Sequence, residues 1–168
     1  MSSKSATICV MLQREYPDQV CSIARTLEVI GERWTMLIVR DAVIDGVSRF
    51  EDFQESLGIA SNVLTNRLKT LCEEDVLERV PDPDRPGRPM YVATEKGREL
   101  APILFALMKW GDRHYPEAKG PPRLTLHVGC GGNIGADWHC DRCGKRAGPG
   151  ELDLRIGHGA KRSARSKR

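Results

Sequence analysis

The chain has 168 residues, 40% of them hydrophobic and 29% charged, enough for one domain and a small appendage. It has no apolar run long enough to span a bilayer and no leader pattern, so a soluble, cytoplasmic protein with no membrane partner is expected. The net charge of +3 is more than supplied by Lys161, Arg162, Arg165, Lys167 and Arg168, which excludes a globally basic surface and leaves any nucleic-acid affinity to local placement of charge.

Residues 1–18 read as an N-terminal arm in which Ile8, Val10, Met11 and Leu12 begin a marginal helix that Pro17 ends. A helix follows from Cys21 to Gly31, with Ile23, Leu27 and Ile30 expected inward and Gly31 as its stop. Cys21 lies where the helix dipole favours a thiolate. A reactive thiol and a small packed residue both fit it, whereas Cys9 and Cys72 read as packing residues. Arg33 to Val43 is apolar enough for a central core helix, with Trp34, Met36, Leu37 and Ile38 as packing.

Arg49 to Gly58 reads as a short helix with Phe50, Phe53 and Leu57 inward. Ile59 and Ala60 make a turn, and Ser61 is expected to cap the next helix, Ser61 to Glu74. Leu64, Leu68 and Leu71 recur on one face of that helix. Asn62, Thr65, Asn66 and Lys69 project from the other, with Arg67 at the edge. Asn can pair with adenine, Thr can touch a thymine methyl, and Lys or Arg can reach guanine or phosphate. Ser61, Asn62, Thr65, Asn66, Arg67 and Lys69 are therefore the candidate DNA-binding residues of a helix-turn-helix.

Two strand-like runs follow, Val76 to Val80 and Met90 to Ala93. Four prolines in residues 81–89 rule out helix between them. Strand, stiff loop and strand after a recognition helix make a winged helix, with Arg85 and Arg88 placed to meet a phosphate or minor groove. An ordinary hairpin with solvated arginines is the alternative. From Thr94, expected as a cap, a long helix runs to about Tyr115 with a wide apolar face of Leu100, Ile103, Leu104, Leu107, Met108 and Trp110. Such a face can pack on the domain and still leave surface for a partner. Pro102 is expected to cost a hydrogen bond and a kink.

These residues carry a resemblance. Cys21 opening a helix, Gly31-Glu32-Arg33-Trp34-Thr35, Arg40-Asp41, Arg49-Phe50 with Phe53, Leu64-Thr65-Asn66-Arg67-Leu68-Lys69 and Thr94-Glu95-Lys96-Gly97 resemble the HxlR-type family of bacterial winged-helix regulators over about residues 20–112. The resemblance implies a homodimeric transcription regulator, read as a repressor, that binds double-stranded DNA at an inverted-repeat operator. It also implies that the helix beginning at Ser61 enters the major groove and that the terminal helices form the dimer. In several members a cysteine matching Cys21 senses quinones, aldehydes or oxidants, which makes Cys21 the candidate redox sensor and a small molecule or oxidant the inducer.

Beyond Pro121-Pro122 the composition changes. Cys140-x2-Cys143-Gly144 is a zinc-knuckle turn, in which two thiolates reach one metal and glycine relieves the backbone. His127-x2-Cys130-Gly131 repeats the spacing and the glycine. Together they offer one imidazole and three thiolates for a closed structural Zn2+ site. His139 competes for the fourth place, although it adjoins Cys140. Free thiols or a disulfide are the alternatives; a reducing compartment disfavours the disulfide, and a segment so poor in core residues needs a metal to fold.

The fold class expected is thus mainly α: a winged helix-turn-helix with a two-stranded β wing, a long C-terminal dimerisation helix and a zinc-ribbon-like extension. The boundaries are 19–118 for the DNA-binding and dimerisation domain, 119–156 for the extension and 157–168 for a basic disordered tail. A protein-interaction module or zinc-dependent adaptor without sequence-specific DNA binding is the second reading. An enzyme is not expected, since no phosphate loop, paired catalytic carboxylates or nucleophile-base motif appears.

Overall fold

The computed structural model describes Tyr16 and residues 20–160; nearly all of the expected arm, Cys9 and the five basic residues from Lys161 onward lie outside them. In chain order the elements are α1 (Ser22–Ile30), α2 (Thr35–Val43), α3 (Phe50–Leu57), α4 (Ser61–Glu73), β1 (Leu77–Pro81), β2 (Pro89–Ala93), α5 (Glu95–Arg98), α6 (Ala101–His114), β3 (Arg123–His127) and β4 (Leu152–Ile156), the last preceded by a single 3-10 turn.

The first core forms where the apolar faces of α2, α3 and α4 meet β1, β2 and α6. Ile38, Val39, Phe53, Leu64, Leu68 and Leu71 are sealed there with Val76, Leu77, Ala93 and Leu104. The leucine edge of α4 is buried as its spacing requires. Gly58 closes α3 in the left-handed region at φ 64°, which turns the chain into α4 within the span of Ile59 and Ala60. Ala60, not Ser61, occupies the cap position of α4, and no side chain caps it; Ser61 is already inside the first turn.

β1 and β2 pair antiparallel from Leu77↔Ala93 to Pro81↔Pro89. The loop between them thereby forms the tip of a hairpin whose base is fixed to the core. Arg49 bridges to Met90 and the Tyr91 amide donates to the Ser48 carbonyl at 2.7 Å, so the approach to α3 borders the wing as a short third strand.

Two helical expectations need correction. Ile23 and Leu27 of α1 are exposed and only Ile30 is buried; a helix at the edge of one copy has too little neighbouring core to cover a full apolar face. The single long helix expected from Thr94 is two. Thr94 does act as a cap, accepting from the Gly97 amide at 3.0 Å, but for the one-turn α5. The chain then breaks at Glu99 and Leu100, and Pro102 falls in the first turn of α6, where its missing N–H leaves no hydrogen bond unmade. Gly97 is required within α5, because a Cβ there would collide with the Val76 carbonyl.

The extension has more core than its composition promises. β3 and β4 pair antiparallel from Arg123↔Ile156 to His127↔Leu152. Ile134, Cys140 and Ala147 are buried together with Phe105 of α6, and Trp138 packs against them. The Phe105 and Trp138 ring centroids lie 4.5 Å apart, a favourable aromatic contact. At the other edge Arg123 pairs with Asp45 at 2.7 Å. The extension is thus docked on α6 and on the end of α2. The start of the expected tail is part of this unit: the Gly157 amide donates to Pro122 O at 2.8 Å, and a Cβ on Gly157 or Gly159 would strike the backbone of Gly120 and Pro121.

Candidate nucleic-acid interface and metal centre

α4 divides its residues by face. Ser61, Asn62, Thr65, Asn66 and Lys69 are exposed opposite the buried leucines. The Thr65 hydroxyl donates to the Ser61 carbonyl at 2.9 Å, a back-bond along the helix that leaves its methyl facing solvent. Asn62 accepts from the Val63 amide at 2.9 Å and so helps close the open start of the helix. Asn66 is exposed, and its side-chain amide makes no hydrogen bond among the described residues. Lys69 meets Glu73 one turn on at 3.5 Å, an exposed pair worth little and readily exchanged for another anion.

Arg67 departs from the expectation. Its side chain is only 16% exposed, and Nη2 donates to Glu32 Oε2 at 2.8 Å. Its Nε is buried without a partner. The guanidinium therefore ties α4 to the turn before α2 and is turned away from the outward face. The two residues are 35 positions apart, and helical spacing alone put Arg67 at the edge.

The wing is held by charges the sequence reading did not assign. Arg49 Nε donates to Asp82 Oδ2 at 2.7 Å, and Nη2 reaches Asp84 Oδ2 at 2.6 Å. Asp82 is buried, and its bonds with the Arg49 guanidinium hold its carboxyl below the ordinary carboxylate range. Arg85 and Arg88 are both exposed, and both lean on Glu51 at the start of α3, Arg85 at 3.7 Å and Arg88 in closer contact. The Glu51 carboxyl is lowered first by its own backbone amide and then by these arginines. Its charge brings both arginines to the side of the hairpin where α3 begins. Exposed ion pairs of this kind cost little to break, so either guanidinium can trade Glu51 for a phosphate.

Cys21 occupies the cap position of α1 and is exposed. The amides of Ala24 and then Ile23 lower its thiol from the usual value, although neither makes a full capping bond. Cys72 is partly buried against the first core, and burial raises its thiol, the mark of a packing residue.

The extension brings His127, Cys130, Cys140 and Cys143 together, with one ligand atom from each lying within 4.8 Å of all the others. His127 Nδ1 is 3.2 Å from Cys143 Sγ and 3.3 Å from Cys130 Sγ, and Cys130 Sγ is 3.4 Å from Cys140 Sγ. Around a tetrahedral zinc at about 2.3 Å from each sulfur, neighbouring sulfurs stand about 3.8 Å apart, so the cluster needs only slight expansion to hold one. Both knuckles have the expected turn. Gly131 and Gly144 lie at φ 67° and 69°, and their amides donate to the carbonyls of His127 at 2.9 Å and Cys140 at 3.0 Å. A Cβ on Gly132 would collide with Cys140 Sγ. Against its burial, the Cys140 thiol is lowered to about 6 by the amides of Cys143 and Arg142 and by the neighbouring thiols. Against the Gly132 amide, that of Cys130 is raised by the neighbouring thiols of Cys140 and Cys143; a metal, which needs thiolates, would favour losing both protons. His139 is not in the cluster. It pairs with Asp137 at 3.2 Å on the surface, so of the two histidines His127 is the one placed to bind.

Comparison with known proteins agrees with the helix-turn-helix fold. The HxlR-like helix-turn-helix family matches residues 29–119. Rv3095 of Mycobacterium tuberculosis, an uncharacterized HTH-type transcriptional regulator, is 41% identical over 124 residues, 74% of this chain and 78% of its own. The crystal structure of PA1607, described as a candidate transcription factor, superposes with a TM-score of 0.57 at 36% identity, covering 89% of this chain and 93% of that one. A match of that extent runs well past residue 119 into the extension. HypR, a redox regulator in its reduced form, matches at 31% identity with a TM-score of 0.51, over 56% of this chain and 95% of its own. These relatives and neighbours are transcription regulators and not enzymes.

Proposed function

The chain belongs to the HxlR-like helix-turn-helix family, and from that premise we propose that it works as a homodimer that binds an inverted-repeat operator in a sequence-specific way. In this reading α4 of each copy enters the major groove, where Asn62, Thr65 and Asn66 face base edges and Ser61 and Lys69 face the flanking backbone. The 81–89 wing reaches the backbone or minor groove through Arg85 and Arg88. The observation that carries the reading is the division of α4 into a sealed leucine edge and an exposed polar edge, because burial fixes the angle at which the polar edge is presented. Arg67 has no part in it; its role is to brace α4 against Glu32.

A dimer is supported by apolar surface that one copy leaves uncovered. Ile23 and Leu27 of α1 and Ile103 and Leu107 of α6 line one exposed groove, and Trp110 lies exposed further along α6. Apolar surface gathered in this way marks an interface. The cluster of His127, Cys130, Cys140 and Cys143 holds one structural Zn2+ in this reading; four protein ligands leave no open position for catalysis. Exposure and a lowered thiol make Cys21 the residue through which an oxidant or electrophile would act, and the likeness to a redox regulator supports that role.

The test is selection of binding sites from genomic fragments with the purified full-length protein. An enriched inverted repeat, with half-sites about one helical turn apart, is expected. Salt-sensitive retention with no enriched sequence would overturn the specific reading, and no retention at low salt would favour the adaptor reading instead.

A further inference from the structure

The extension and the winged helix touch at two edges and stand apart between them. One edge is the tilted ring contact of Phe105 with Trp138; the other is the ion pair of Arg123 with Asp45. Between these lies a hollow of about 410 Å³ walled by Leu37 and Ile44 of α2, Met108 of α6 and Leu154 of β4, with Arg40 and Arg123 among its lining residues. A smaller hollow of about 220 Å³ adjoins it, sharing Ile44, Met108 and Leu154 and ending on Phe105 and Trp138. An apolar cavity of ~150 Å³ suffices to bind benzene, and small-molecule sites generally start near 300 Å³. The larger hollow reaches that range, and leaving it empty forfeits contact along leucine and methionine walls.

Its polar groups narrow the chemistry of an occupant. Arg40 Nε donates to the buried Asp41 at 2.8 Å, and Arg123 is matched by Asp45. Both guanidiniums are thus already neutralised by a carboxylate, while each keeps further N–H groups to donate. A ligand carboxylate would have to compete with Asp41 and Asp45. A neutral carbonyl or ether oxygen would not.

We propose that this hollow is a binding site for an uncharged small molecule, with a mainly aromatic or aliphatic body and one hydrogen-bond acceptor directed at Arg40 or Arg123. Met36 and Leu107 line both this hollow and the α1–α6 groove, so an occupant presses on the surface assigned above to the partner copy. That consequence rests on the dimer reading; the binding itself does not.

The probe is 6-propionyl-2-dimethylaminonaphthalene, an uncharged naphthalene with a single ketone, titrated into the full-length protein and followed by the blue shift of its emission. Saturable binding is expected. Leu154→Trp and Ile44→Phe, which fill the hollow from opposite walls, each weaken it by about tenfold or more, with far-UV circular dichroism checking the fold. Arg123→Met keeps the unbranched stem, removes the donors and weakens binding by about 3- to 10-fold. Val128→Ser, exposed on the extension and lining neither hollow, leaves it unchanged. Absence of a saturable shift in the native protein overturns the proposal. So does binding that survives both filling variants in folded protein, or that is lost with Val128→Ser. DNA retention is scored separately, so a protein that fails to bind DNA but binds the probe in this pattern sinks the functional reading and leaves this one standing.

Discussion

Replacing Ile23 with aspartate tests the assembly from the side of a single exposed residue. Ile23 is 70% exposed in one copy, and full burial of an isoleucine side chain is worth about 1.5–3 kcal/mol. Covering what remains exposed is then worth about 1–2 kcal/mol. In a two-fold interface the same residue enters twice, which brings the loss to about 2–4 kcal/mol before any cost of facing a carboxylate with apolar surface. Each 1.4 kcal/mol is a factor of ten, so the dimer dissociation constant should rise by about 30- to 1000-fold. Sedimentation equilibrium over a range of protein concentrations measures it. Val128→Asp is the matched control, since Val128 is also exposed but sits on the extension, away from α1. An Ile23→Asp protein that associates as tightly as the native chain, or a Val128→Asp protein that dissociates as readily, would refute the placement of the interface.

Three further outcomes are expected. Arg88→Ala should weaken specific and random DNA alike and lower the slope of log affinity against log salt by about one per copy; loss on the specific site alone would show that Arg88 reads sequence. Metal analysis should give one zinc per native chain and per His139→Ala chain and much less for His127→Ala, whereas equal loss in both histidine variants would put the ligand set in error. The Arg49–Asp82 pair sets a pH dependence: because the folded Asp82 carboxyl is lowered, its contribution is complete above the ordinary aspartate value near ~4 and fades as pH falls through the lower folded value. Urea midpoints of native and Asp82→Asn protein should therefore differ by a constant amount from neutrality down to about pH 5 and converge below about pH 4. A gap unchanged at pH 3 would contradict this.

What the sequence disclosed and what it hid follow from how far apart the interacting residues lie. Leucine spacing located the buried edge of α4, and the paired x2 spacings with their glycines located the His127–Cys143 cluster, because each pattern is local. Charge pairing across the chain left no such trace. Glu32 with Arg67, Arg49 with Asp82, and Glu51 with Arg85 and Arg88 join segments 33 to 37 residues apart. That distance is why helical spacing takes Arg67 to the edge of α4 without showing its tie to Glu32, and why the bracing of the wing leaves no local pattern. Pro102 reads as a kink in one long helix, because a kink and a clean restart look the same in sequence; the structure places Pro102 in the first turn of a new helix. Ile23 and Leu27 have the period of a core-facing helix, and period cannot tell a face that the chain covers from one that it leaves exposed. The extension read as poor in core because Phe105, which completes it, belongs to α6.

The most direct measurement compares native and Asn66→Ala protein on the selected operator and on random DNA of equal length and salt. A good bidentate base contact is worth about 1–3 kcal/mol of discrimination, and the dimer makes it twice, so the preference for operator over random DNA should fall by about 2–6 kcal/mol, with affinity for random DNA unchanged. Equal weakening on both DNAs, or no change on either, would mean that the outward face of α4 does not read bases.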